Sequence, residues 1–385
     1  MKNKILEEKR IYLDYAGSTP IDPRVLKVVT DSLDRDLGNP SSLFVEARES
    51  KQMIEKARTD IASILESKPQ DIVFTASGTE SINLAILGVV SDPAGKHFVT
   101  TTIEHPAVLQ SFKDLERRGA SISYVSPDSD GLINSNDISS LIKPETVLVS
   151  VMYANNEIGT VQPIRDISRV ISKFNKENKC SVLFHCDASQ AVAWLPAGLE
   201  RLGVDLLSVD GSKIYATKGI GLLAKRSSTK LNPIIFGGGQ EGGLRSGTEN
   251  LSAILGLSEA LKIIVNERQL DSERVKNLSE RLRIGIEKIR PDAKLNGHSE
   301  KRLPNNLSFC FPGLDSEFAV IKLDGAGLAC SASSSCQSRG KNSSSYVIES
   351  IGNKDCSASS LRFTAGRFSS EEDIDRAIEI ISTVL

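Results

Sequence analysis

The sequence predicts an α/β architecture: a mostly parallel sheet covered by helices on both faces, followed by a smaller α+β region. Three observations predict it. Short β-rich runs at 72–75, 98–103, 121–125, 147–153, 182–186 and 206–209 alternate with helical patterns at 80–90, 106–119, 136–142 and 163–174, the βαβ rhythm of a parallel sheet. From about residue 250 the rhythm changes to a long helical stretch over 251–289, with room for one break. Strands near 306–311 and 318–330 and a last helix from about Ser370 follow it. The length, 385 residues, suits two or three domains and a large core.

The elements before the sheet are equally readable. Asp22-Pro23 opens a helix, an N-cap followed by proline at the first helical position. The stripe Val25, Val28, Val29, Leu33 continues it. A longer amphipathic helix covers 45–66, with Met53, Ala57, Ile61, Ile64 and Leu65 on its apolar face. The expected division is a large α/β domain over 15–260 and a small α+β domain from 1–14 and 261–385. Ser331–Ser345, rich in Ser with Gly, Lys and Asn, reads as a surface loop.

Composition narrows the function classes. Apolar residues make up 39% and charged residues 25%, and 47 Lys+Arg against 49 Asp+Glu leave a net charge of −2. That balance calls for neither a nucleic-acid nor a membrane surface. No run reaches the roughly 18 apolar residues of a membrane span, and the polar N-terminus does not resemble a signal peptide. The six cysteines (Cys180, Cys186, Cys310, Cys330, Cys336, Cys356) lack the tight pairing of a metal site, so no metal is expected. The chain is too large to need disulfide staples. A reducing cytoplasm is expected, with any important cysteine a reactive thiol.

The chemistry gathers where the strands end, as it does in open α/β sheets. Thr75-Ala-Ser-Gly-Thr79-Glu follows the first run, a small-residue turn that offers N–H groups and a helix N-terminus to an anion. Glu104-His105-Pro106 follows the second, Asn155-Asn156-Glu157 the fourth, and Asp187-Ala-Ser-Gln190 the fifth. Lys213 follows the sixth, between two apolar runs, where an unused ammonium is costly to desolvate. Each feature alone has a plain structural explanation: a helix start, an N-cap, or a lysine with its head in water. Together they supply a phosphate cradle, a ring-stacking histidine, a carboxylate and a Schiff-base lysine. Those are the parts that pyridoxal 5'-phosphate requires.

Longer motifs sharpen the reading. Ile11-Tyr-Leu-Asp-Tyr-Ala16, Gly38-Asn-Pro-Ser-Ser42, Asn155-Asn-Glu-Ile-Gly159, Gly237-Gly-Gly-Gln-Glu241, Gly243-Leu-Arg-Ser-Gly-Thr-Glu-Asn250 and Ser360-Leu-Arg-Phe-Thr-Ala-Gly-Arg-Phe368 occur in this order. The chain resembles the NifS/IscS-type cysteine desulfurases of the class V aminotransferase family. The resemblance implies a fold-type I pyridoxal-phosphate enzyme with a seven-stranded sheet. It implies Lys213 as the Schiff-base lysine, Asp187 on the pyridinium nitrogen, Gln190 near the ring hydroxyl and His105 stacked on the ring. Gly78 and Thr79 hold the phosphate, with Asp210 and Ser212 beside it. Thr248 reaches the phosphate of a partner subunit, which makes a homodimer. Asn156 and Arg362 bind the substrate carboxylate, for which a guanidinium fork is apt. Cys336 is the nucleophile that takes sulfur from L-cysteine, leaving L-alanine and a persulfide destined for an acceptor protein. Cys330 reads as packed core and the other four cysteines as structural or incidental.

The chain departs from this family beside Lys213. Asp210-Gly211-Ser212 stands where the family has Ser-x-His, so either phosphate binding is weakened or Asp210 turns away to cap or pair elsewhere. Gly242 replaces a usual Arg, Ala-Ser-Gly-Thr stands for Ser-Gly-Ala-Thr in the phosphate turn, and Lys341-Asn-Ser-Ser-Ser345 replaces Glu-Pro-Ser after Cys336. Iron–sulfur assembly, tRNA thiolation and DNA phosphorothioation are open destinations for the sulfur. A related lyase or aminotransferase that does not use Cys336, and a scaffold without activity, are the competing functions.

Overall fold

The computed structural model of the chain describes residues 10–35, 38–332 and 344–385. In chain order the first elements are β1 (Ile11–Tyr12), α1 (Pro23–Leu33), α2 (Val45–Ile64), β2 (Ile72–Thr75), α3 (Gly78–Leu87), β3 (His97–Thr101), α4 (Pro106–Arg117) and β4 (Ser121–Val125). Next come α5 (Ser135–Leu141), β5 (Thr146–Ser150), α6 (Ile164–Asn178), β6 (Leu183–Asp187), α7 (Leu199–Leu202), β7 (Leu206–Asp210), β8 (Gly221–Lys225) and α8 (Leu251–Ile289). The last are β9 (Lys294–Leu295), β10 (Asn306–Cys310), α9 (Ser316–Gly325), β11 (Leu328–Ala329), β12 (Ser331–Ala332), α10 (Tyr346–Ser350), β13 (Ser360–Thr364) and α11 (Glu371–Val384).

The central sheet has seven strands in the order β2-β8-β7-β6-β5-β3-β4. Only β8 runs antiparallel to its neighbours. Burial explains the apolar runs: β3 is buried along its whole length and β6 and β7 at four of five positions, because helices cover both faces. The edge strand β4 is only part-buried and carries Ser121, Ser123 and Tyr124. At the other edge, β2 is covered by an ion pair. Glu241 Oε2 accepts the Phe74 N–H at 2.8 Å, Arg58 Nη1 donates to the Ile72 carbonyl at 2.8 Å, and Arg58 and Glu241 bind each other through both guanidinium ends. The open edge is thereby closed to a further strand.

α8 runs unbroken for 39 residues, about 58 Å at 1.5 Å per residue. The break allowed by the sequence is absent because no proline interrupts it and its two glycines are contact points. A Cβ on Gly256 would lie 2.8 Å from Val29 of α1, and one on Gly285 would lie 2.6 Å from Ile378 of α11. Beyond α8 a four-stranded sheet has the order β12-β13-β10-β9. β1 pairs in parallel with β11, so the start of the described chain packs on this C-terminal layer.

Two expectations are corrected. The strand expected over 318–330 is α9 followed by the short β11 and β12. The side chain of Asp315 caps the Phe318 N–H at 3.0 Å, and Ala319 and Leu323, one turn apart, carry the buried face. A short apolar run does not by itself distinguish helix from strand. Cys310 and Cys356, expected to be structural or incidental in a chain without staples, form a disulfide. β10 and β13 pair with Cys310 opposite Ser360, which brings Cys356 within bonding distance across 46 residues of chain. Among the described residues no helix is long and apolar enough to cross a membrane.

Candidate active site

The site lies at the carboxyl ends of β2, β3, β5, β6 and β7, where the parallel strands stop and the chain turns. β7 ends at Asp210 and leads into a single tight turn, Gly211–Lys213. That turn is clamped by the segment after β1: Thr19 N–H donates to the Ser212 carbonyl at 2.8 Å, and Tyr215 N–H donates to Thr19 Oγ1 at 2.8 Å. Lys213 Nζ donates to the Gly17 carbonyl, and Gln190 Nε2 donates to the neighbouring Ala16 carbonyl at 3.0 Å. The sequence-predicted Lys213 and Gln190 therefore meet over one stretch of backbone.

Asp187, at the end of β6, is 7% exposed, and its Oδ1 accepts the Ser189 N–H and hydroxyl at 3.0 and 2.6 Å. This holds the carboxylate in one orientation. His105 caps α4, its Nδ1 accepting the Ala107 N–H at 3.1 Å. Burial lowers the His105 pKa, Asp187 and Asp210 oppose that, and Lys213 adds to it. Asp187, Asp210 and Lys213 are thus each close enough to act on His105, which is neutral, its Nε2 carrying the proton while Nδ1 accepts.

Gly78 is the first residue of α3, behind the N-cap Ser77. A Cβ on Gly78 would lie 2.8 Å from the Asp210 Cβ and 3.2 Å from Ser189 Oγ, so only glycine fits between β6, β7 and this turn. Asp210 caps the Gly211–Lys213 turn, as one sequence expectation allowed, but stays beside the glycine turn rather than turning away from it. Its Oδ2 accepts the Gly78 N–H at 3.0 Å, and its Oδ1 accepts Ser212 N–H and Oγ–H at 2.8 and 2.7 Å. Thr79 is exposed on the next position of α3. Thr248, also exposed, shares a cavity of about 150 Å³ with Thr75 and Ala76 of the phosphate turn.

Arg362, on β13, is 3% exposed. Its Nη1 donates to the Asn156 carbonyl at 2.9 Å and its Nη2 to Asp14 Oδ1 at 2.8 Å. Arg362 Nε and Asn156 Oδ1 are buried without a hydrogen-bond partner among the described residues. Orphaned polar atoms at this depth are costly, and here one donor and one acceptor are left for a small polar ligand. Cys336 lies outside the described residues, but both ends of its segment are placed. On one side Ser331 pairs with Arg362 and Ala332 with Leu361. On the other Ser345 Oγ donates to Glu157 at 2.5 Å, and Tyr346 Oη donates to the Glu104 carbonyl at 2.6 Å.

Sequence reasoning missed three participants. Asp14 lies inside a quoted motif, yet its ion pair with Arg362 spans 348 residues. Glu104 and Glu157 are fully buried, and desolvation pushes their carboxyls up to about 8 and about 7. Their adjacency to His105 and Asn156 was the only signal. Cys330 is buried near Asp14 and Arg362. Desolvation first, then Asp14, pushes its thiol up to about 12, which makes it a poor nucleophile at neutral pH.

These residues fit pyridoxal phosphate at its ring end: a lysine amine, an oriented carboxylate, a neutral histidine and an amide converge at strand ends. They fit at the phosphate end in shape, through the glycine turn, although a carboxylate holds one of its donors. The model of the class-V aminotransferase family matches residues 11–377. The chain is 36% identical over 381 residues to cysteine desulfurase IscS of Dictyoglomus turgidum, covering 98% of this chain and 95% of that protein. A solved NifS-like protein superposes with a TM-score of 0.90 at 33% identity, covering 97% of this chain and 99% of that one. A structure of SspA in complex with cysteine superposes with a TM-score of 0.78 at 31% identity, covering 94% and 100%. The chain belongs to the class-V aminotransferase family of pyridoxal-phosphate enzymes and, within it, to the NifS/IscS-type cysteine desulfurases.

Proposed function

We propose that the chain takes sulfur from L-cysteine, releases L-alanine and carries the sulfur as a persulfide on Cys336. One observation carries this reading. The segment bearing Cys336 leaves the fold beside Arg362 and re-enters it beside Glu104 and Glu157, the sequence neighbours of His105 and Asn156. Cys336 is four residues from Ala332, a reach of at most about 14 Å.

The residue roles follow from position. Arg362 and Asn156 bind the substrate carboxylate, the guanidinium giving up Asp14 or sharing its second edge. Lys213 takes the proton from the substrate Cα. Asp187 keeps a proton on the cofactor ring nitrogen, and when bound the cofactor supplies an electron sink for the Cα electrons. Gln190 faces the ring hydroxyl, and Gly78, Thr79 and Ser212 face the phosphate. Neutral His105 moves a proton at the substrate sulfur. The Cys336 thiolate forms the new S–S bond as the substrate Cβ–S bond breaks, and Cβ takes up a proton to give alanine. The enzyme acts as a cytoplasmic homodimer, in which exposed Thr248 reaches the partner subunit's phosphate site. An acceptor protein receives the sulfur.

The test is incubation with L-cysteine, alanine assay and persulfide mapping by mass spectrometry. Alanine is formed and the extra sulfur is found on Cys336, and Cys336→Ser forms no persulfide. Sulfur on Cys330 instead, or full turnover in Cys336→Ser, would refute the assignment.

A further inference from the structure

We propose that Asp210 sets the discrimination of this enzyme at the phosphate end of its cofactor, by competing with the phosphate for the Gly78 N–H and repelling its charge. The inference rests on the reading of the site just given.

The carboxylate is fastened, not merely near. Oδ2 sits on the Gly78 N–H at 3.0 Å, while Oδ1 is held by the Ser212 N–H and hydroxyl at 2.8 and 2.7 Å. Every donor to it is neutral, and Asp210 forms no ion pair among the described residues. The contact is also steric: a Cβ on Gly78 would lie 2.8 Å from the Asp210 Cβ. A second carboxylate works on the same turn. Glu80 Oε2 accepts the Ala76 N–H at 2.9 Å, and its Oε1 engages Arg245 at 3.0 Å. Two N–H groups of the turn are therefore already spent on carboxylates, and the nearby guanidinium is already paired.

A phosphate can take the Gly78 N–H only if Asp210 gives up that bond, and the two anions then face each other across the turn. The penalty belongs to the phosphate alone. Pyridoxal, which has the same ring and aldehyde without the phosphate, meets Lys213, Asp187 and His105 but escapes it. Asp210 is thus a specificity-determining residue that narrows the preference for the phosphorylated cofactor.

The experiment compares wild type, Asp210→Asn and Asp210→Ser as full-length chains. Release of pyridoxal phosphate from the purified holoenzymes is followed on dialysis. Binding of pyridoxal phosphate and of pyridoxal to the stripped chains is then titrated by visible absorbance. Borohydride trapping and peptide mapping locate the attachment. Both variants should bind pyridoxal phosphate about tenfold or more tightly than wild type, release it more slowly, and bind pyridoxal within about twofold of wild type. Asn keeps an acceptor for Ser212, so damage to the turn would show as weakened pyridoxal binding as well. Unchanged or weaker binding of pyridoxal phosphate in both variants, with attachment at Lys213 intact, overturns the role of Asp210. Attachment of neither aldehyde to Lys213 in any of the three proteins overturns the site reading itself, and this inference with it.

Discussion

Glu104 offers a stability measurement whose size follows from its surroundings. It is fully buried in the turn after β3; Thr101 Oγ1 and the Met152 N–H donate to its Oε1 at 2.8 and 2.9 Å, and its Oε2 has no partner among the described residues. Desolvation, with a smaller push from Asp187, raises its pKa from 4.5 to about 8. The folded protein then holds a proton that the unfolded chain loses above pH 4.5. Stability from this group is fully present below pH 4.5, declines as pH rises, and is gone above pH 8. At about 1.4 kcal/mol per pH unit, the full loss is about 5 kcal/mol, and about 3 kcal/mol of it falls between pH 6 and pH 8. Glu104→Gln keeps an acceptor for both donors and cannot ionise. The unfolding entropy of a chain this long is roughly 0.8 kcal/mol per degree. Taking the two proteins as equally stable at pH 4.5, the variant should melt about 2–3 °C higher than wild type at pH 6 and about 6 °C higher at pH 9. Differential scanning calorimetry of both proteins across pH 5–9 makes the comparison, and the Glu157 carboxyl, common to both, cancels. A difference in melting temperature that stays constant from pH 6 to pH 9 would mean that Glu104 does not titrate there, and the reasoning would fail.

Arg58→Ala should destabilise the protein by about 3–5 kcal/mol, because it strands the buried Glu241 carboxylate and uncovers the β2 edge; denaturant titration measures the loss, and aggregation should increase with it. Joint replacement of Cys310 and Cys356 by serine should cost up to about 4 kcal/mol on the loop-entropy estimate for their separation. Reductant should lower the melting temperature of wild type but not of that variant. Arg362→Lys keeps the charge and loses the fork, so KM for L-cysteine should rise about tenfold or more, while the visible band of the Lys213-bound cofactor is retained.

The parts of the site that were legible in the sequence act on their own neighbours. Asp187 and Lys213 could be read because each follows an apolar strand and opens a small-residue turn, and Gly78 because Ser77 caps the helix it starts. The strand wrongly expected over 318–330 was still a local question. Phe318-Ala-Val-Ile is apolar enough for either element, and the deciding feature, Asp315 with Glu317 in the first turn, is a capping signal that hydrophobicity alone overlooks. The remaining gaps have a different cause. Asp14 meets Arg362, Glu241 meets Arg58, and Cys310 meets Cys356 only after strand register has joined distant segments. No spacing rule connects residues whose separation is set by tertiary pairing.

Asp210 falls between these two cases. The sequence showed a carboxylate three residues before Lys213 and left two outcomes, a weakened phosphate grip or a side chain turned elsewhere. The structure shows the side chain doing both local and distant bonding at once. One oxygen does cap the turn locally, through Ser212, and that very bond aims the other oxygen at Gly78, a residue 132 positions earlier in the chain. A local cap thus fixes a long-range contact: the Ser212 half of the Asp210 bonding was visible in the sequence, and the Gly78 half was not.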